Sequence, residues 1–202
     1  MSKGLALAAM GVVVLGLGGT YALTTMGGAD ADRCATSETS ADIGGPFELL
    51  DKTGALVKSE DLITEPALIY FGFTFCPDFC PMDMSRNAAA VDILAEQGIS
   101  ATPIFISIDP ERDTPEVVGD YAYNFHDRAI GLTGSAEQVK TASQAYRTFY
   151  QKDDSGDPDY YLMQHTTFTY LTLPEVGFVD FFRTDATPES VAETVACFVE
   201  QA

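Results

Sequence analysis

Apolar positions along the chain fall into three patterns: an unbroken N-terminal run, short buried runs, and stretches of helical period. Between Gly4 and Ala29 there is no charged side chain, and LALAAMGVVVLGLGGTYALTTM is largely apolar. That is about 20 residues, enough for one helix to cross a hydrocarbon core. A secretory signal has a shorter apolar run, of about 7–15 residues, although Ala29-Asp30-Ala31 keeps signal cleavage open as the alternative. Residues 1–27 are therefore expected to be a transmembrane anchor. Residues 28–45 are small, polar and acidic, and they read as a flexible tether closed by Gly44-Gly45-Pro46.

From residue 46 to residue 202 the pattern is that of one folded domain. Phe47–Leu50 and Ala55–Val57 flank the turn signal Asp51-Lys52-Thr53-Gly54 and predict an N-terminal hairpin. The runs Pro66–Phe73 and Thr102–Ile108 are continuously apolar and short, as buried strands of parallel sheets are, and Ile130–Leu132 predicts a third, short strand. Helices are predicted over Met82–Gln97, from Thr114 to Phe125, from Ser135 to Phe149 and from Thr187 to Val199. Thr-Pro-Glu opens two of them, with Thr as N-cap and Pro at the first helical position. Gln151–Asp159 reads as a polar loop, and Thr166–Leu173 with Phe178–Phe182 as an antiparallel hairpin. Strands alternating with helices, then a closing hairpin and helix, indicate an α/β fold whose central sheet is flanked by helices on both faces.

Charge narrows the range of partners. Eleven Lys+Arg against thirty Asp+Glu give −19, and apart from Lys3 all of these charges lie from Asp30 onward. So negative a surface repels phosphate backbones and excludes nucleic acid as the partner. It suits cations or a basic protein patch. Asp153, Asp154, Asp157 and Asp159 could meet such a patch, with a solvated loop as the plain alternative. These acids resemble a calcium loop only loosely, because no Glu stands at the required distance.

Four cysteines stand at 34, 76, 80 and 197, and two histidines at 126 and 165. Cys76-Pro77-Asp78-Phe79-Cys80-Pro81 joins a predicted buried strand to a predicted helix, at the carboxyl end of the sheet where functional groups gather. The helix N-terminus lowers thiol pKa, and thiolate is both nucleophile and metal ligand. The spacing is one residue longer than the C-x-x-C of dithiol oxidoreductases. Two thiolates want a third ligand. His126 follows a predicted helix, where a capping role accounts for it, which leaves His165 as the candidate ligand or else a plain structural residue. Two sulfurs and one imidazole suit Cu(I), or Cu(II) with a Met, better than structural Zn²⁺. Met82, Met84 and Met163 lie nearby in sequence, the two helical ones with core packing as their ordinary role.

Four blocks in fixed order, YFGFTFCPDFCP (Tyr70–Pro81), ISIDPERDTP (Ile106–Pro115), IGLTG (Ile130–Gly134) and HTTFTYL (His165–Leu171), resemble the Sco (SenC/PrrC) family over residues 44–200. The resemblance implies a membrane-anchored, thioredoxin-like copper protein serving the dinuclear copper centre of cytochrome c oxidase subunit II. It further implies that Cys76, Cys80 and His165 bind one copper ion as Cu(I) or Cu(II), received from an upstream copper donor protein. The expected location is the cytoplasmic membrane, with the soluble domain facing the periplasm. Two positions depart from the family pattern. Gln164 stands before the histidine where Asp is common, and Phe75 makes the mouth of the site more apolar. Cys34 and Cys197 fall outside the motif, and in an exported compartment they either pair or remain lone thiols.

Three functions use such a site: a copper carrier, a thiol–disulfide reductase keeping the oxidase cysteines reduced through Cys76 and Cys80, and a copper or redox sensor. A non-enzymatic carrier is the expectation. A peroxidase is disfavoured, since no obvious companion to a single peroxidatic cysteine is present.

Overall fold

The computed structural model describes residues 34–35, 42–153 and 160–201. The stretch 1–27 read as an anchor lies outside these residues, and among the described residues no helix is long and apolar enough to cross a membrane.

Strands β1 (Glu48–Leu50) and β2 (Leu56–Lys58) pair antiparallel around Asp51, whose carboxylate accepts hydrogen bonds from the backbone N–H groups of Thr53 and Ala55. Gly54, at φ 79°, supplies the left-handed residue of that turn. A single helical turn, α1 (Ser59–Leu62), leads to β3 (Ala67–Gly72). The long α2 (Phe79–Glu96) crosses back to β4 (Thr102–Ser107), which runs parallel to β3 with Ile69 opposite Ile104. Every residue of both strands is buried, because helices or loops cover both faces. Helix α3 (Pro115–Tyr123) leads to the parallel edge strand β5 (Ile130–Leu132), and α4 (Ala136–Ala145) follows. Strands β6 (Tyr150–Lys152) and β7 (Met163–His165) form a separate two-stranded ribbon. Strands β8 (Thr169–Leu173) and β9 (Gly177–Phe182) then complete the central sheet, and α5 (Pro188–Gln201) ends the fold. The five-stranded order is β5-β4-β3-β8-β9, with β8 antiparallel to β3.

Leu68, Val91, Leu94, Leu171, Val195 and Phe198 fill the layer between the sheet and helices α2 and α5. On the opposite face Phe71 and Tyr170 pack on Tyr146, with Phe47 beside it. Each large side chain so buried stabilises the fold by about 1.5–3 kcal/mol. The predicted helix starts are present: the Thr114 hydroxyl accepts from Val117 N–H, and Ser135 with Gln138 forms a reciprocal capping box.

Several boundaries differ from the sequence expectation. Helix α4 stops at Ala145 instead of Phe149, because Arg147 turns the chain at φ 51°. The chain then enters β6, so the start of the expected loop Gln151–Asp159 is strand, and residues 154–159 lie outside the described residues. His165 closes β7 and does not open the sheet strand, which begins at Thr169. Helix α3 ends at Tyr123 with Asn124 as C-cap, so His126 is no cap. Its Nδ1 accepts from Arg128 N–H in the following turn, and its Nε2 lies 3.3 Å from Asp92. Within the segment read as a tether, Cys34 is buried and disulfide-bonded to Cys197 of α5. Gly44 N–H donates to the Ala145 carbonyl at 2.8 Å, which fixes the entry to the domain.

Candidate metal centre

The two motif cysteines leave the carboxyl end of β3 on the turn into α2. Cys80, in the first turn of the helix, is fully buried, while Cys76 is half-exposed. The Cys80 backbone N–H points at the Cys76 sulfur, 3.4 Å away. Gly72 makes room for this arrangement: a Cβ there would stand 2.9 Å from Cys80 Sγ, Phe105 Cε2 and Tyr70 Cε1. Two hydrogen bonds from Thr74, through N–H (3.0 Å) and Oγ1 (2.6 Å), tie the turn to the buried carboxylate of Asp113, which also accepts from Ser107 Oγ at 2.5 Å.

The third donor arrives on β7. His165 Nδ1 lies 2.9 Å from the Thr166 carbonyl oxygen, so Nδ1 carries the proton and Nε2 turns its lone pair toward the sulfurs, 3.6 Å from Cys80 Sγ. Tyr70 and Phe73 meet the imidazole edge-on and hold its plane. The three donor atoms lie within 4.8 Å of one another, and this is the one such cluster among the described residues. The structure thus brings Cys76, Cys80 and His165 together. Of the nearby methionines, Met84 is core and Met82 is exposed, while Met163 lines the mouth of the site. That mouth is an open cleft of about 460 Å³ lined by Phe73, Pro77, Phe79, Leu162 and Gln164 beside the ligands.

Electrostatics divide the two thiols. The Cys80 S–H, as donor, pulls the Cys76 thiol down to about 4 against the opposing effect of burial, and His165 adds a smaller lowering. Cys80 is pushed far up, first by its bond to Cys76 and then by burial. The metal-free pair therefore holds one proton, with the negative charge on the more exposed sulfur. Such a set, two thiolates and one neutral imidazole without a fourth protein ligand, fits a soft metal in low coordination.

Behind Cys80 lies a polar group that sequence reasoning missed. Asp83 and Arg86 pair at 2.8 Å with side chains only 1% and 6% exposed. Arg86 also donates to Thr169 Oγ1 at 2.6 Å and to the Arg183 carbonyl at 2.8 Å, joining α2 to β8 and to the entry of α5. Burial raises the Asp83 carboxyl above its ordinary value, and the Arg86 charge opposes that. In sequence this is an ordinary (i, i+3) pair on a helix, and only its burial distinguishes it.

A sheet of this order with a dithiol–imidazole cluster at the carboxyl end of its central strand defines a thioredoxin-like metal-binding protein. The chain belongs to the SCO1/SenC family, whose model matches residues 35–200. It is 48% identical over 204 aligned positions to protein SenC of Rhodobacter capsulatus, covering 98% of this chain and 91% of that protein. It is 41% identical over 166 positions to the mitochondrial SCO1 homolog 1 of Arabidopsis thaliana, covering 82% of this chain but 49% of that longer protein. Among solved structures, copper-bound ScoI of Arabidopsis thaliana superimposes with a TM-score of 0.74 at 40% identity, over 79% of this chain and 99% of that one. Copper-bound ScoI of Bradyrhizobium japonicum gives 0.68 at 36%, over 76% and 98%.

Proposed function

We propose that this chain is a copper-binding chaperone of cytochrome c oxidase assembly, and that it delivers copper to the dinuclear centre of oxidase subunit II. The observation that carries the reading is the convergence of Cys76, Cys80 and His165 Nε2 at an open cleft. Copper-bound relatives of the same fold support the choice of metal. In this reading copper is cargo, received from an upstream donor protein. A three-donor site leaves room for a ligand of the recipient to add before these ligands let go, and Phe75, Phe79 and Leu162 give the mouth an exposed apolar rim for such a partner.

The apolar stretch before residue 30 supports an anchor in the cytoplasmic membrane. The disulfide supports a domain on the oxidising, periplasmic side. The test is metal content and absorption of the purified full chain. About one copper per chain is expected, with a thiolate-to-Cu(II) band that disappears in Cys76→Ala. Copper retained in Cys76→Ala would overturn the site.

The thiolate character of Cys76 beside a second thiol favours one other reading, a thiol–disulfide reductase acting on the same oxidase cysteines. His165→Ala separates the two. A carrier loses copper binding, whereas a reductase keeps its thiol exchange.

A further inference from the structure

The segment between β4 and α3 carries Asp109-Pro110-Glu111-Arg112-Asp113-Thr114, an acid-rich block that contributes no metal donor. Its side chains reach both of the segments that do. On one side Asp113 holds Thr74 through two hydrogen bonds, two residues ahead of Cys76. On the other side the block grips Tyr161, four residues ahead of His165. The Tyr161 hydroxyl donates to Asp109 at 2.6 Å, and Arg112 Nη1 donates to the Tyr161 carbonyl at 2.9 Å. The Arg112 guanidinium lies 3.6 Å from the centre of the Tyr161 ring and is itself fixed by Asp109 at 2.6 Å. Glu111 adds an ion pair to Lys152 on β6, the strand paired to β7.

We propose that this loop is a positioning bracket, with Arg112 and Tyr161 as positioning residues that set how closely His165 approaches the two sulfurs. The ribbon that carries His165 is not part of the central sheet. It therefore lacks the ladder that fixes the cysteine turn, and its placement depends on side-chain links. Beside the core packing of Tyr150 and Met163, a set of hydrogen bonds and a cation–ring contact converges on Tyr161. A planar guanidinium can lie flat on the ring while separate N–H groups of its rigid fork donate to the carbonyl and to Asp109, a geometry an ammonium does not reproduce. The inference rests on the copper reading of the site, but its structural half can be read without metal.

The experiment uses the full chain with Arg112→Lys and Tyr161→Phe, each alone and combined with His165→Ala. Cu(I) affinity is measured by competition with a chromophoric chelator, and amide hydrogen exchange at residues 163–165 is followed in the metal-free protein. Arg112→Lys is expected to weaken Cu(I) binding by about 10-fold or more, the usual effect of losing a group that orients a ligand. It should also speed exchange at residues 163–165. In the His165→Ala background the same replacement should change copper affinity no further, because the bracket acts through that imidazole. Tyr161→Phe, which keeps the ring and loses the hydroxyl's bonds to Asp109 and, at 3.4 Å, to Glu111, should show the same pattern to a smaller degree. An equal loss of affinity with and without His165 overturns the proposal, since it would mark a general structural defect. So does unchanged exchange at residues 163–165. A wild-type chain that takes up no copper would refute the copper reading alone, and the exchange result would still decide the bracket.

Discussion

Replacing Arg86 by Met tests whether the polar group behind Cys80 is held together by charge. The new side chain fills most of the space, but it leaves the Asp83 carboxylate, 1% exposed, without its cation and takes donors from Thr169 and the Arg183 carbonyl. Removing one partner of a buried pair costs about 3–5 kcal/mol, because the remaining charge stays desolvated. At about 2–4 °C per kcal/mol for a domain of this size, melting should fall by about 10 °C. The loss should also depend on pH. The Asp83 carboxyl is already raised in the native fold, by burial first, and losing Arg86 raises it further. A group whose folded value lies above its unfolded value favours the fold most at pH below the unfolded value, near 4, and loses that contribution as pH climbs through the folded value. The variant should therefore be closest to wild type in acid and fall away toward neutrality. Asp83→Asn in the same chain should recover about half of the loss by removing the stranded charge. Thermal melts of the metal-free protein between pH 4 and 8 measure all three effects. A single variant within about 1 kcal/mol of wild type, or a double variant no better than the single, would refute the reasoning.

Gly72→Ala should cost about 2 kcal/mol. Its Cβ meets three buried atoms at 2.9 Å, and overpacking of that kind outweighs the small unfolded-state gain of Ala over Gly. The same methyl pushes Cys80 Sγ, so a melt and a copper titration should both shift, and a normal melt would show that the core yields there. Alkylation of the metal-free dithiol should proceed at nearly constant rate from pH 8 to 6 and slow only as the medium falls toward 4, because Cys76 ionises at about 4. A rate that instead rises tenfold per unit between pH 6 and 8 would place the thiol at an ordinary value.

The parts of the fold legible in the sequence were those whose burial shows as pattern. Strands β3 and β4 are unbroken apolar runs because both faces are covered, and the caps Thr114 and Ser135 announce their helices. The candidate ligand set was legible through the four blocks, and the structure brings its three members together. The β6–β7 ribbon was not. Only Tyr150 and Met163 in it are apolar and pack on the core, too few to show as a strand pattern beside Gln151, Lys152 and Gln164, and Arg147, whose positive φ ends α4, belongs to a residue type that normally continues a helix. The burial of the Asp83–Arg86 pair and the grip of Arg112 on Tyr161 were equally silent: the first looks like an ordinary (i, i+3) pair until the fold covers it, and the second joins positions that meet only in the finished fold.

The Cys34–Cys197 bond has an orienting consequence. The chain enters α5 from Arg183, whose carbonyl accepts from Arg86, and the 14 residues of the helix then run about 20 Å, with Cys197 in its last turns. The Cys34 backbone is thus tied toward the end of α5 remote from the Arg86 contact. The disulfide therefore constrains the domain at a distance from the cysteine turn and the ribbon that carry the sulfurs and the imidazole.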